Sequence, residues 1–394
     1  MSKIAEDYKQ TEVGVIPRDW NAKPMDEVSI LIASGKSKTK TKVGGAFPIY
    51  GSTGIIGFSS KHDYEGERIL VARVGANAGT INYVDGKYCV SDNTLMIQLK
   101  MEFDFSFIFY FLKYSNLNKL IFGSGQPLIT GTQLKYFSIP LPPTKAEQTA
   151  IATALNDADA LITQLERLIA KKRNIKQGAM QELLRPKEGW EVKKLGDVFR
   201  FLNTANNARA DLLESGEVEY IHYGDIHTRW NCFLDCSKNE LPFIDKGKIT
   251  GVPLLENGDL VIADASEDYE GLGACIEINN IGKRKIIAGL HTLLLRGNKN
   301  ILADGFKGNL RNYKGVKDAL IRVSTGVSVF GISKTNLKEI EISIPSTIEE
   351  QNRIAQILSN MDAEIEALEK KLEKYKMLKQ GMMQNLLTGR VRLV

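Results

Sequence analysis

The sequence predicts an α+β protein: two globular α/β segments separated by two long helices, the helices paired as an antiparallel coiled coil within a pseudo-twofold internal repeat. Three observations lead there. A long stretch of chain occurs twice, each occurrence opens with the same helix-start signature, and behind each start the apolar residues are spaced as a coiled-coil seam. Leu134–Leu184 recurs without a gap as Leu337–Leu387, and about 23 of 51 aligned positions are identical, which marks a duplicated plan rather than shared composition. A shorter echo opens each copy: Pro17-Arg18-Asp19-Trp20 followed by Val28, and Lys187-Glu188-Gly189-Trp190 followed by Val198. The second copy holds about 33 more residues between its two echoes, so similar frames enclose dissimilar contents. The expected organisation is a first domain over 1–143, a central helix over 144–184, a second domain over 185–346, and a last helix with its tail over 347–394.

Each helix start is chemically marked. Thr144-x-x-Glu147 and Thr347-x-x-Glu350 are capping boxes, in which the hydroxyl accepts from the third helical N–H and the glutamate reaches back to the cap. Prolines at 140, 142, 143 and 345 keep the preceding chain extended. Steps of four and three follow: Ile151, Leu155, Ala158, Ile162, Leu165 and Ile169 in one copy, and Ile354, Leu358, Met361, Ile365, Leu368 and Leu372 in the other. That spacing is a coiled-coil interface, with Glu166, Arg167, Glu366 and Glu373 on solvated faces. The competing expectation is that each seam docks only on its own domain. Gly178 and Gly381, at matching places late in the helices, suggest a close crossing, a kink or a frayed end.

Between the frames, strand-like runs such as Arg68–Arg73, Thr94–Leu99, Gly258–Ala263 and His291–Leu295 alternate with glycine turns, and Phe105–Leu120 reads as an aromatic-rich helix. Each segment is therefore expected to be a compact domain built mainly on curved antiparallel strands.

Composition narrows the function. No apolar run approaches the roughly 18 residues of a membrane span, and the first residues lack the apolar core of a signal peptide, so a cytoplasmic location with no membrane partner is expected. Four cysteines are too few for a disulfide framework. Cys232-x-x-x-Cys236 near His222 and His227 matches no strong zinc template, and no metal is expected. Net charge is +5, which permits a polyanionic partner. The lysines of Ser34–Lys42 (Lys36, Lys38, Lys40, Lys42) alternate with hydroxyl residues in what should be an exposed loop, and Gly282–Lys285 with Lys307, Arg311, Lys314 and Lys317 adds basic segments to the second copy.

Catalytic signatures are missing. Gly35-Lys36-Ser37 ends like a phosphate-binding loop, but Ile30 stands where the upstream glycine belongs. Gly75-Ala76-Asn77-Ala78-Gly79 lacks dinucleotide-fingerprint spacing, and no His-Glu-x-x-His, Gly-x-Ser-x-Gly or amino-methyltransferase motif occurs. Two similar modules in one chain suit a recogniser of two half-sites better than they suit a hydrolase.

These residues resemble the DNA specificity subunit of type I restriction-modification systems. The likeness rests on Gly14, Pro17 and Trp20, on Phe47–Gly54, on Ser91-Asp92-Asn93, and above all on the doubled Pro-x-x-x-x-Glu-Gln-x-x-Ile helix start. The second variable segment departs most, with Tyr220–Ile226 and no evident counterpart of the Tyr50 run, so its target should differ from the first. The resemblance implies a non-enzymatic subunit whose two target-recognition domains each read half of a split, asymmetric site on double-stranded DNA, with the helices as a ruler. It further implies two modification subunits that use S-adenosylmethionine and two restriction subunits that use ATP and Mg, with no cofactor in this chain. Lysines 36 to 42 would hold phosphates. Base-reading candidates are Arg73, Asn77, Asn93 and Gln126 in the first domain, and Asn206, Asn207, Arg209, His222, His227 and Arg229 in the second. The alternatives are a recognition module of another restriction or anti-phage system, a self-contained DNA methyltransferase or nuclease, and a coiled-coil scaffold without nucleic acid.

Overall fold

In the computed structural model, described for residues 6–37, 45–121, 127–326 and 328–393, the chain forms two compact units. One comprises Met1–Arg167 with Glu369–Val394, the other Leu168–Leu368. Each takes half of each long helix, Lys145–Leu183 and Ile348–Leu386, which are 39 residues apiece, or about 58 Å at 1.5 Å per residue.

In the first unit, Ser29–Ser34, Thr94–Leu99, Arg68–Ala72 and Ile81–Val84 form an antiparallel sheet in that order. A second sheet, ordered Gly54–Ser59, Phe47–Gly51, Lys87–Val90 and Tyr64–Glu65, contains a parallel pair, with Cys89 opposite Ile49 and Val90 opposite Tyr50. In the second unit, Phe199–Leu202, Thr292–Gly297, Leu260–Ala263 and Cys275–Asn279 repeat the first arrangement, and Cys232–Asp235 adds a fifth, parallel strand. Its other sheet again carries a parallel pair, Val218–Ile221 beside Ile286–Ala288. Both units are thus mainly antiparallel, as expected, with parallel pairing added at these places. Short buried runs such as Ile286–Ala288 carry no signal for strand direction, because a parallel partner is set by long-range crossover. The aromatic helix is also shorter than expected: Phe105–Tyr114 is α-helical, Asn116 takes a left-handed backbone (φ 48°), and Leu117–Leu120 continues as a 3-10 turn.

Neither core is built from one stretch of chain. The first gathers Trp20, Val28, Ile97, Phe107 and Leu141 with Ile151 and Leu155 from the start of one long helix and Leu386 and Leu387 from the end of the other. The second gathers Leu195, Leu260, Phe306 and Ile344 with Ile354 and Leu358 from the start of the second helix and Leu184 from the end of the first. The two framing tryptophans differ: Trp20 is fully buried, whereas Trp190 is partly exposed and donates its Nε1–H to Glu350 Oε1 (3.3 Å).

The middle of the seam is apolar, with Ile162, Leu165, Ile169, Ile365 and Leu372 buried and Leu368 half-buried. Ile151, Leu155, Ile354 and Leu358 pack into the globular cores, so docking on a domain and helix pairing divide the stripe between them. The helices run antiparallel, since the partner number falls as the residue number rises. In the first unit Asp159 pairs with Lys379 (2.5 Å) and Glu166 with Lys376 (3.3 Å); in the second Lys172 pairs with Glu364 (2.6 Å) and Lys176 with Asp362. Asp159 and Asp362, like Lys176 and Lys379, occupy equivalent repeat positions, so one ion pair is made twice. Such pairs contribute at most about 1 kcal/mol each and act mainly on register.

The recurring glutamine after each capping glutamate also has a physical reason. Gln148 Oε1 accepts from Asp104 N–H (2.9 Å) and its amide donates to Pro142 O (3.3 Å). Gln351 repeats this with Ala303 N–H (2.9 Å) and Pro345 O (3.0 Å). Each buried glutamine thus ties the extended proline segment to the domain. The capping boxes are only half formed. Thr144 and Thr347 accept from the N–H groups of Glu147 and Glu350 (3.3 Å each), but the Glu147 carboxylate is taken by Arg392 and that of Glu350 by Trp190. A guanidinium makes a stronger bond to a carboxylate than a cap N–H does.

A Cβ at Gly178 or Gly381 would meet nothing within 4 Å, so neither glycine serves a close crossing. Both lie inside their helices, where glycine costs about 1 kcal/mol relative to alanine. Gly178→Ala and Gly381→Ala should each raise the urea midpoint, and together by about twice as much; an unchanged or lowered midpoint would show that another constraint selects glycine.

Candidate nucleic-acid interface

In the first unit, four loops meet along one rim at the strand ends. Ser37 N–H donates to Val90 O (2.9 Å), Gly35 N–H to Thr94 O (3.0 Å), Arg73 N–H to Asn93 O (3.0 Å), and Gly75 N–H to Pro127 O (3.1 Å). Gly35 lies so close to the neighbouring strand that a Cβ would fall 2.1 Å from Val90 O, so close packing is what this glycine serves. The rim brings together Lys36, Asn77 and Asn93, all exposed, with the half-buried Arg73, whose Nε has no hydrogen-bond partner among the described residues. Lys38, Lys40, Lys42 and Gln126 lie outside the described residues.

The second unit repeats this rim in its backbone. Ala205 N–H donates to Ala288 O (2.9 Å) where Ser37 meets Val90, Gly289 N–H to Ile221 O (3.0 Å) where Ser91 meets Tyr50 (2.8 Å), and Asp264 N–H to His291 O (3.1 Å) where Arg73 meets Asn93. The Tyr50 run therefore has a counterpart after all, Val218–Ile221. The expectation of none is corrected, because backbone pairing with a parallel neighbour preserves the position without preserving any side chain.

The second candidate set is only partly free. Asn206 is exposed, and the Asn207 carbonyl accepts from Tyr220 Oη (2.6 Å). His222 is buried and caps the short helix Tyr223–Thr228, its Nδ1 accepting from Gly224 N–H (3.1 Å) and Arg209 Nη2 (3.2 Å). Arg209 also reaches Asp225 (3.0 Å). His227 Nε2 meets the Ala265 carbonyl (2.9 Å), and the exposed Arg229 lies over the Trp230 ring and donates to Glu240 O (3.1 Å). His222 is thereby committed to the fold. Burial first, then the charge of Arg209, pushes its imidazole below the ordinary value near 6.5.

One residue of each basic segment in the second copy turns inward. Lys307 is buried against Glu277 (3.2 Å) and Asp304 (2.6 Å), and Arg284 binds Glu219 and the Cys236 carbonyl, so neither is available to phosphate. Buried charges need such partners, and sequence spacing does not show whether a partner exists. Among the described residues no cluster of three or more His, Cys, Asp or Glu side chains is placed to hold a metal. Burial pushes the Cys236 thiol up to about 11 and that of Cys275 to about 12. A cavity of about 860 Å³ opens beside the second rim, lined by Tyr223, His227, Trp230, His291, Arg311 and Asn312 among others.

The family model of the type I restriction modification DNA specificity domain matches this chain twice, over residues 17–177 and 187–376. The chain belongs to the type I restriction-modification DNA specificity family. It is 26% identical over 350 residues to the type I restriction enzyme MjaVIII specificity subunit of Methanocaldococcus jannaschii, covering 82% of this chain and 79% of that one. The fold is that of the S subunit from M. genitalium (TM-score 0.61, 18% identity, covering 98% of this chain and 97% of that chain) and of the HsdS subunit from Thermoanaerobacter tengcongensis (TM-score 0.50, 18% identity, covering 95% and 98%). Membership assigns this specificity subunit a role in DNA recognition within a type I system. No helix among its described residues is long and apolar enough to cross a membrane.

In this specificity subunit, His291, Asp264 and Tyr223 also stand together at the second rim, and residue type alone does not mark them. A signal was present: Asn93-Thr94-Leu95 and His291-Thr292-Leu293 both open a central strand, so the position before that threonine marks the rim in each copy.

Tyr220 ties the second rim together, donating to Asn207 O and accepting from Leu290 N–H (2.7 Å). Tyr220→Phe removes the hydroxyl partner of that partly buried N–H and should cost about 1 kcal/mol in denaturant unfolding; no loss would mean the rim is held elsewhere. Because the His222 value is lowered in the folded state, its contribution is full above about 6.5 and is lost as pH falls. Stability should drop as pH falls below about 6.5, and His222→Asn, which keeps a cap, should flatten that drop; an unchanged slope would remove His222 as the cause.

Proposed function

We propose that this specificity subunit reads a bipartite, asymmetric site on double-stranded DNA without catalysing any reaction itself. The single observation that carries this is the pair of topologically matched rims bearing different side chains: Lys36, Arg73, Asn77 and Asn93 in one, and Asn206, Arg209, His227, Arg229 and their neighbours in the other. Equal backbone frames with unequal donors and acceptors are what two half-sites of different sequence require. Lys36, with the lysines at 38, 40 and 42, supplies phosphate attraction that weakens with salt. The 39-residue helices set the unread interval between half-sites.

The duplicated helices also suit a partner present in two copies. Gln177 and Gln181 are exposed, as are Gln380 and Gln384 at the equivalent positions, so one surface is offered twice. The partners are two modification subunits, which bring S-adenosylmethionine and methylate adenine, and two restriction subunits, which bring ATP and Mg. This chain holds none of these cofactors and acts in the cytoplasm.

Mapping methylated adenines in cells carrying the complete system tests the reading. It predicts two short, different motifs separated by a fixed unread gap, and a continuous motif would overturn it. Purified chain alone, given DNA and labelled S-adenosylmethionine, should transfer no methyl group; transfer would overturn the non-enzyme assignment.

A further inference from the structure

We infer that His291, positioned by Asp264, reads a base in the second half-site from the place that Asn93 and Arg73 occupy in the first domain. The inference rests on the DNA-reading function proposed above and adds a specificity-determining residue to it. The equivalence is topological. Asp264 N–H donates to His291 O as Arg73 N–H does to Asn93 O, and each pair stands where the central strand begins, at the buried residues Thr292 and Thr94.

The local geometry singles His291 out. Its backbone is left-handed (φ 56°), a conformation that costs a non-glycine residue about 1–2 kcal/mol. Strain of this kind persists where the surroundings over-determine it, and it concentrates at functional positions. Here the surroundings do so: Leu290 N–H is held by Tyr220 Oη, and Thr292 Oγ1 donates to Gly289 O (2.5 Å). The imidazole is fixed on two sides, with Nδ1 3.3 Å from Asp264 Oδ1 and the ring edge-on to Tyr223 at 5.3 Å. The side chain is nonetheless 50% exposed, and Nε2 has no hydrogen-bond partner among the described residues. That nitrogen is therefore open to solvent and to a ligand.

The chemistry follows from that orientation. With its Nδ1–H given to a carboxylate, a neutral imidazole presents the Nε2 lone pair, an acceptor. In the major groove the complementary groups are the exocyclic amines, adenine N6 and cytosine N4. The first domain offers at this place a guanidinium that only donates, Arg73, and an amide that both donates and accepts, Asn93, so the two domains present different hydrogen-bonding patterns there.

The test uses the complete complex with its modification and restriction subunits, and reads the methylated motif of wild type, His291→Gly and His291→Asn. Glycine and asparagine both tolerate the left-handed backbone, so both variants keep the turn. His291→Gly should relax one position of the second half-site, losing roughly tenfold discrimination there, with the first half-site and the gap unchanged. His291→Asn should shift that position toward adenine, and Asp264→Ala should relax the same position. A wild-type motif with an unread gap, unchanged in all three variants, would overturn this inference alone; a wild type with no split motif would overturn the underlying reading.

Discussion

The structure depends on each globular core being closed by both long helices. Ile151 and Leu155 enter the first core from one helix and Leu386 and Leu387 from the other, while Leu184 joins Ile354 and Leu358 in the second. A fully buried leucine contributes about 1.5–3 kcal/mol through the area it removes from water, so several such residues rival the net stability of a domain. The consequence is that neither helix is a passive linker. The chain tail belongs to the same closure: Arg392 makes paired bonds to Asp19 (2.9 and 3.0 Å), binds Glu147 and lies over Trp20.

On this shared frame, rim chemistry is free to vary. Bonds common to the two rims run between backbone groups, Arg73 to Asn93 and Asp264 to His291, and place no demand on those side chains, while Tyr220 and Thr292 brace the second rim from behind. Cation and amide in one copy can become carboxylate and imidazole in the other with the loop geometry intact. Within the duplicated stretch, the polar residues that the fold constrains, Gln148 with Gln351, Asp159 with Asp362 and Lys176 with Lys379, are preserved in both copies.

That division explains what the sequence revealed and what it concealed. Helix starts, helix lengths and the seam were legible because capping threonines, prolines and apolar spacing are local signals. The half-formed capping boxes were not, because Arg392 reaches Glu147 from the far end of the chain. Strand direction was hidden for the same reason: Tyr50 beside Val90 and Ile221 beside Ala288 are pairings made by topology, not by pattern. At the rims, residue type suggested His222 and His227, yet the first is consumed as a helix cap and the second meets a carbonyl. His291 shows itself only by its place before Thr292, which mirrors that of Asn93 before Thr94.

The proposal that helix length sets the interval between half-sites is tested most directly by adding one heptad to each long helix, after Arg167 and after Leu368, and mapping the methylated motif of the reassembled complex. A heptad keeps the seam in phase to about 20° and leaves the core residues at both helix ends in place. The account predicts a longer unread gap between two unchanged half-sites. An unchanged gap, or altered half-sites at the old spacing, would contradict it.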